Sequence, residues 1–358
     1  MNPNAALPAL PLAVHHASAT TPFPATLQPR ASTPSSPALI GLDWGTTRLR
    51  AFLLAADGQV LAEADSPHGL RHLPAPGGPT GFETALAQVA GDWRMRWPSL
   101  PLLAGGMVGS QQGWREAPYL DCPARPADLL AHAVAVPLAD GGRLHIVPGL
   151  RHRPDAGPPD MMRGEEVQIA GVLASHPAPE LVVLLPGTHA KWARVQQGQI
   201  LDLCTHMTGE LFALLSQHSL LAEMLPAAEA AAETLATDSG FQRGLALAAQ
   251  AGPGDLGRQL FAVRTLGLDR QLTPAALPGL LSGLLIGHEL RAGLAWLQQR
   301  GAAHWPLVLA GEPALCQRYA WALRQAGQPV AAELGNTAPQ GLARIAADSG
   351  WLATVADC

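Results

Sequence analysis

The feature that most constrains this chain is a pattern used twice. Ala38 to Asp43 is a short apolar run that reaches the turn Trp44-Gly45-Thr46-Thr47, and runs at 49–55 and 59–64 follow across turns. Near residue 187 the same grammar recurs: 181–185 enters Pro186-Gly187-Thr188-His189, and 191–196 and 199–203 follow, separated by a turn at Gly198. Short apolar runs bounded by Gly-bearing turns read as antiparallel strands. Helical periodicity comes after each triplet, at 83–97 with Leu86, Val89, Ala90, Trp93 and Trp97 on one face, and later at 164–175, 209–250, 275–299, 314–326 and from Pro339. Further strands are expected at 101–104, 144–147, 305–310 and 330–334. Two triple-strand starts with helices behind them describe a duplicated α/β architecture, and 358 residues suffice for two cores of roughly 100–200 residues each.

Composition narrows the function classes. Apolar residues make up 48 % and charged residues only 14 %, so a large core is available. A net charge of −5 excludes a strongly basic surface, and duplex nucleic acid as the main partner with it. No uninterrupted apolar run approaches the ~20 residues of a bilayer span, so no membrane partner is expected. The most apolar stretch, 275–287, contains Pro278, Gly279 and Ser282 and runs into His288 and Glu289, which describes a buried helix. Its small residues Ser282, Gly283 and Gly287 permit close packing, with a lobe-closure hinge as one expected use. Cys122, Cys204, Cys316 and Cys358 stand far apart with no CxxC pair, which fits a reducing cytoplasm. Residues 1–37 hold eight prolines and one charge, Arg30, and read as a disordered Pro/Ala-rich tail; they lack the basic start of a signal peptide. The expected domains are this tail, an N-terminal lobe at 38–177 and a C-terminal lobe at 178–358. Trp296, Trp305, Trp321 and Trp351 serve either as core packing or as anchors of a homodimer interface.

Among the glycine motifs, Gly252-Pro-Gly254-Asp-Leu-Gly257 spells GxGxxG but follows a helical stretch, so the dinucleotide-binding context fails. Asp43 to Thr47 has better chemistry. Gly45 lets a phosphate approach the backbone, Thr46 and Thr47 add hydroxyls, and Asp43 at a strand end could hold Mg²⁺ through water; an ordinary turn is the alternative. The second turn carries Lys191. The chain has 23 basic residues, of which Lys191 is the single lysine and 22 are arginine. A compact ammonium at that place suits a phosphate, with chance survival of a surface lysine as the alternative. His189 is either a hydroxyl partner or a buried, satisfied histidine.

Three further segments carry chemistry. Asp160-Met-Met-Arg163-Gly-Glu165-Glu166 precedes a helix, where acids are favoured by the dipole alone, yet it also offers a carboxylate base and a guanidinium for a substrate carboxylate. Gly105 to Tyr119 combines glycines with Gln111, Gln112, Trp114, Arg115, Glu116 and Tyr119, a composition suited to a sugar pocket or to a plain surface loop. In 205–210, Thr208 is a candidate helix N-cap, with Glu210 complementing the dipole.

Taken in order, Leu42-Asp-Trp-Gly-Thr-Thr47, Gly106-Met-Val-Gly-Ser110 with Gly113-Trp and Pro118-Tyr, Met162-Arg-Gly-Glu-Glu166 with Gln168, Pro186-Gly-Thr-His with Lys191-Trp192, Met207-Thr-Gly-Glu-Leu211 and Ser282-Gly-Leu-Leu-Ile-Gly287 resemble the 2-dehydro-3-deoxygalactonokinase family. The blocks run from about residue 38 to 350. The resemblance implies a two-lobed actin-like ATPase fold, a duplicated ribonuclease H-like α/β fold with ATP in the cleft between lobes. It implies that Asp43 to Thr47 is the first phosphate loop, Gly187 to Lys191 the second, and Val308 to Gly311 the adenosine strand and turn. The implied reaction is phosphoryl transfer from MgATP to the 6-hydroxyl of 2-dehydro-3-deoxy-D-galactonate. Glu312-Pro313 after Gly311, and Asn336, depart from the family pattern.

Phosphoryl transfer depends on positioning and electrostatics. Mg²⁺ near Asp43 and the Lys191 ammonium would neutralise phosphates, Thr47 and Thr188 would orient them, and Glu165, with Asp160 second, would accept the substrate proton. Arg163 and Arg115 would grip the substrate carboxylate. A kinase of another keto-deoxy sugar acid is the competing reading. A non-catalytic sugar-sensing repressor would need a basic helix-turn-helix that residues 1–37 do not offer.

Overall fold

The computed structural model describes residues 36–226 and 238–352. Residues 1–35 of the expected tail and Cys358 lie outside them. The chain opens with β1 (Pro37–Trp44), β2 (Leu49–Ala55) and β3 (Val60–Ser66), then α1 (Gly78–Arg96), β4 (Leu102–Gly106), β5 (Tyr119–Asp121), α2 (Pro126–Ala131), β6 (Val134–Pro137), β7 (Arg143–Ile146), β8 (Gly149–His152), β9 (Asp160–Met162) and α3 (Glu165–Ser175). The second half runs β10 (Glu180–Leu185), β11 (Ala190–Gln196), β12 (Gln199–His206), α4 (Thr208–His218), α5 (Ser239–Ala249), α6 (Leu256–Leu268), α7 (Leu277–Gln299), β13 (Leu307–Ala310), α8 (Pro313–Gln325), β14 (Ala332–Leu334) and α9 (Ala338–Asp348).

The two meanders expected from sequence form the starts of two sheets. The first has the order β3-β2-β1-β4-β7-β6, the second β12-β11-β10-β13-β14. In each, an antiparallel triplet is extended on its first strand by parallel strands: β1 beside β4, and β10 beside β13. A parallel neighbour requires a crossover, and the intervening helices provide it. This shared order is the duplicated ribonuclease H-like topology of the two-lobed actin-like ATPase fold.

Both faces of β1 and β10 are covered, so these strands are almost uniformly apolar where they pass through the core. On one side of the first sheet Trp44, Phe82, Leu86 and Ile146 pack together. The other side belongs to a core that reaches from Leu39 and Leu54 through Val167 and Ile169 to Leu181, Val183 and Val308 of the second sheet. Helices α3 and α9 lie in that shared core at very close approach. A Cβ on Gly341 would sit 1.8 Å from the carbonyl oxygen of Val167, and one on Gly171 would sit 1.9 Å from that of Thr337. α9, the last helix of the chain, packs on α3, β1, β2 and β4 and so returns to the first sheet.

A third sheet, β5-β8-β9, has no counterpart in the sequence reading. Its strands are three or four residues long, too short for alternation to register. β9 lies against β12. The GxGxxG segment runs from the loop after α5 into the first turn of α6, with a helix and no strand before it.

The glycines of α7 serve a different contact from the one expected. α7 packs on α4, α5, α6 and α8, all from the second half of the chain, and a Cβ on Gly283 would meet the Phe241 carbonyl oxygen of α5 at 2.2 Å. The glycines therefore let α5 and α7 touch backbone to backbone. Gly283→Ala is expected to cost about 1–3 kcal/mol by overpacking, measured as a lowered midpoint of denaturant unfolding with unchanged slope. Trp305 is buried, while Trp296 and Trp321 pack against the same core, and Trp351 lies against the shared one.

Candidate active site

The first glycine turn is fixed from behind. Gly45 N–H donates to Arg48 O, and the carbonyls of Gly45 and Thr46 accept from Leu70 and Arg71, so the Gly45-Thr46-Thr47 backbone is held by the 67–72 loop. Trp44 Nε1 adds a bond to His68 O at 3.0 Å. Asp43 ends β1 opposite Arg50, whose Nη2 donates to Asp43 Oδ2 at 2.5 Å.

Beside this turn, Asp43 and Trp44 pair with Gly105 and Gly106 at the end of β4. A Cβ on Gly164 would lie 3.2 Å from Gly106 Cα, which brings the N-terminus of α3 against the same strand ends. Gly164 has φ +107, a conformation that favours glycine, and from it the chain turns into α3 with Glu165 and Glu166 in the first turn. Glu165 Oε2 accepts the Arg163 N–H at 2.9 Å, and both oxygens of Glu166 lie 2.8 Å from the Gly164 N–H. Burial raises the Glu165 carboxyl above its ordinary range, opposed by the positive charge of Lys191 and by backbone N–H groups. Glu166 is pushed up to about 8 by burial and by the neighbouring Glu165 charge. The neighbouring Glu165 charge thus adds to burial in favouring the protonated form of Glu166.

Lys191 reaches this cluster from the second sheet. It is 5 % exposed, and its Nζ donates to Met161 O and to Thr205 Oγ1, each at 2.9 Å. Thr205 in turn donates its hydroxyl and its amide to the two Asp160 oxygens, both at 2.6 Å. Asp160, the second choice for a base, is thus committed to Thr205 and through it to Lys191. Arg163 stacks over the Tyr119 ring at 4.2 Å, donates to Ala117 O at 2.8 Å, and leaves its buried Nη1 with no partner among the described residues.

The second glycine turn opens onto a cavity of about 480 Å3. Gly187, Thr188, Gly209, Ser282, Arg318 and Tyr319 are among its lining residues. The N-terminus of α4 is docked on the turn, with Glu210 N–H donating to Thr188 O at 3.0 Å. His189 Nε2 bonds Glu210 Oε2 at 2.5 Å, so His189 pairs with a carboxylate instead of a hydroxyl. Gly311, with φ +147, passes close to Pro186 O and so stands beside the same turn. The Glu312-Pro313 departure is helix-start chemistry: Glu312 caps α8 by accepting from the amides of Ala314 and Leu315, and proline needs no donor in the first turn. Thr208 is not the N-cap of α4. Met207 holds that place, and the Thr208 hydroxyl is drawn to the buried Glu289 carboxylate.

The 105–119 loop divides. Tyr119 meets Arg163, whereas Trp114 stacks on Phe82 with centroids 5.4 Å apart and sits edge-on to Trp44, a packing role. Gln111 and Arg115 are exposed. Sequence reasoning missed Thr205 and Glu289. A carboxylate inside the most apolar helix was the available signal for Glu289, because such a group needs buried donors.

Among the described residues no group of three or more His, Cys, Asp or Glu side chains could cage a metal. A single carboxylate beside a glycine turn, as Asp43 is, fits a Mg²⁺ that would arrive on a nucleotide, since Mg²⁺ keeps waters and takes phosphate oxygens along with one or two carboxylates. Among the described residues no helix is long and apolar enough to cross a membrane.

A family model for 2-keto-3-deoxy-galactonokinase matches residues 43–345. A protein of Rhizobium meliloti (strain 1021) assigned as a 2-dehydro-3-deoxygalactonokinase is 36 % identical over 254 residues, 71 % of this chain and 79 % of its own. The 2-dehydro-3-deoxygalactonokinase of Escherichia coli (strain K12) is 36 % identical over 303 residues, 84 % of this chain and 94 % of its own. The crystal structure of a protein from Sinorhizobium meliloti given the same assignment superposes with a TM-score of 0.72 at 33 % identity, covering 87 % of this chain and 98 % of that one. With the matched segment running from the Asp43 turn to α9, the chain belongs to the 2-keto-3-deoxy-galactonokinase family and is a kinase.

Proposed function

We propose that the protein transfers the γ-phosphoryl group of ATP to the 6-hydroxyl of 2-dehydro-3-deoxy-D-galactonate, as an enzyme of D-galactonate breakdown in the cytoplasm. The observation that carries the reading is that Lys191, the one lysine of the chain, reaches from the second sheet to Met161 O in the segment that leads into Glu165, and that its charge opposes the upward shift burial gives the Glu165 carboxyl. The triphosphate would lie between the two glycine turns, with Thr47 and Thr188 as hydroxyl contacts and the nucleoside in the cavity between α4, α7 and α8. Asp43 would hold Mg²⁺ carried by the nucleotide, which supplies charge neutralisation for the phosphates. Glu165 accepts the proton of the attacking hydroxyl, and Arg163, clamped on Tyr119, offers a guanidinium to the substrate carboxylate. The lobes are 38–177 and 178–358, and α9 of the second packs on the first sheet. The partners are small molecules, with no nucleic acid and no membrane.

A coupled ADP-release assay across C5 to C7 keto-deoxy acids and simple sugars tests the substrate. The highest kcat/KM is expected for 2-dehydro-3-deoxy-D-galactonate. Preference for another keto-deoxy acid would move the substrate while keeping the chemistry, and turnover of none of the keto acids would refute the reading.

A further inference from the structure

Glu289 has no part in the chemistry above, yet three side-chain donors converge on its buried carboxylate. It sits on α7, 3 % exposed. Its Oε1 accepts the indole N–H of Trp192 at 2.9 Å, and its Oε2 accepts the hydroxyls of Thr208 and of Tyr319, the latter at 2.5 Å. A lone carboxylate in an apolar helix is strongly unfavourable, and three donors converging on it are the arrangement that permits it. Burial pushes the carboxyl up and the three donors oppose that shift.

The donors come from three places. Thr208 begins α4 and Tyr319 lies on α8, and both line the cavity at the second glycine turn. Trp192 follows Lys191 on β11 and packs against α7 so closely that a Cβ on Gly293 would lie 2.5 Å from its ring. One buried group therefore ties two cavity walls and the lysine strand together. It also sets their polarity. A hydroxyl that gives its proton to a carboxylate has only lone pairs left for a ligand.

We infer that Glu289 is a positioning residue of this cavity: by taking both hydroxyl protons it fixes Thr208 and Tyr319 as acceptors, so that this part of the wall takes the donor groups of a nucleoside, a ribose hydroxyl or a base amine, and not phosphate oxygens. The inference rests on the reading of the cavity as the nucleotide site. The phosphates are thereby left to the glycine turn at the other side.

The full-length chain tests this with Glu289→Gln, Tyr319→Phe and Ser282→Trp, each followed by ADP binding in a calorimeter, ATP KM, sugar-acid KM and kcat. Ser282→Trp fills the cavity away from Glu289, and it must weaken ADP binding; if it does not, the cavity is not the nucleotide site and the inference falls with that reading. Given that it does, Glu289→Gln is expected to raise ADP Kd and ATP KM about tenfold, with sugar-acid KM within about twofold, because the amide returns a donor where only an acceptor fits. An unchanged ATP KM, or an equal rise in both KM values, overturns the positioning role. Should Glu289→Gln fail to fold, Tyr319→Phe decides: an ATP-selective rise supports the role, and none refutes it.

Discussion

Glu165→Gln is expected to lower kcat by about 10² to 10⁴, the usual worth of a general base, with both KM values within about threefold and the melting temperature nearly unchanged. The size follows from what the variant keeps. Glutamine fills the same volume and its carbonyl can still accept the Arg163 N–H that holds Glu165 Oε2, so position is conserved and only the basic oxygen is lost. The pH profile gives a second readout. Burial raises the Glu165 carboxyl, and a base must be deprotonated to act, so wild-type kcat/KM falls as pH drops through that raised value. The limb lies higher than an ordinary glutamate would give and disappears in the variant. A loss below threefold in a folded protein would end the assignment.

The second large effect belongs to Lys191→Arg, expected to reduce kcat/KM on the order of 10²-fold although charge is kept. Lys191 is almost fully buried, and its ammonium already gives two protons to Met161 O and Thr205 Oγ1 across the contact of β9 with β12. A point charge with three donors has one left for a phosphate or for Glu165. A planar guanidinium presents its donors in a fixed fork and cannot reproduce the two bonds that the Lys191 ammonium makes to Met161 O and Thr205 Oγ1. Near-normal turnover by this variant would make the lone lysine of the chain a coincidence.

Much of this was legible beforehand because it depends on local pattern. Both meanders, both glycine turns and most of the longer helices follow from short apolar runs, glycine punctuation and helical periodicity, whereas α6, thirteen residues long, was not among the expected helices. The β5-β8-β9 sheet was not legible, since strands of three or four residues have no period. Nor was the use of the α7 glycines: their spacing says that something approaches closely, and only the packing shows that the neighbour is α5.

The site divides along the same line. The roles proposed for Asp43, Lys191 and Glu165 rest on residue type and setting, through a strand end, an isolated lysine and an acid pair at a helix start. The hydrogen-bond partners were not legible in that way. Thr208 has the sequence of a helix cap, but its hydroxyl goes to Glu289, 81 residues away. Asp160 has the type of a base, but Thr205, 45 residues on, takes both of its oxygens. Trp114 has the look of a sugar platform and packs on Phe82. The sequence by itself determined the duplicated α/β plan and the two glycine turns, because these are written in neighbouring residues. Only the tertiary structure decided which polar groups remain for a ligand, because a buried donor or acceptor is satisfied by whatever the fold brings to it, at any distance along the chain.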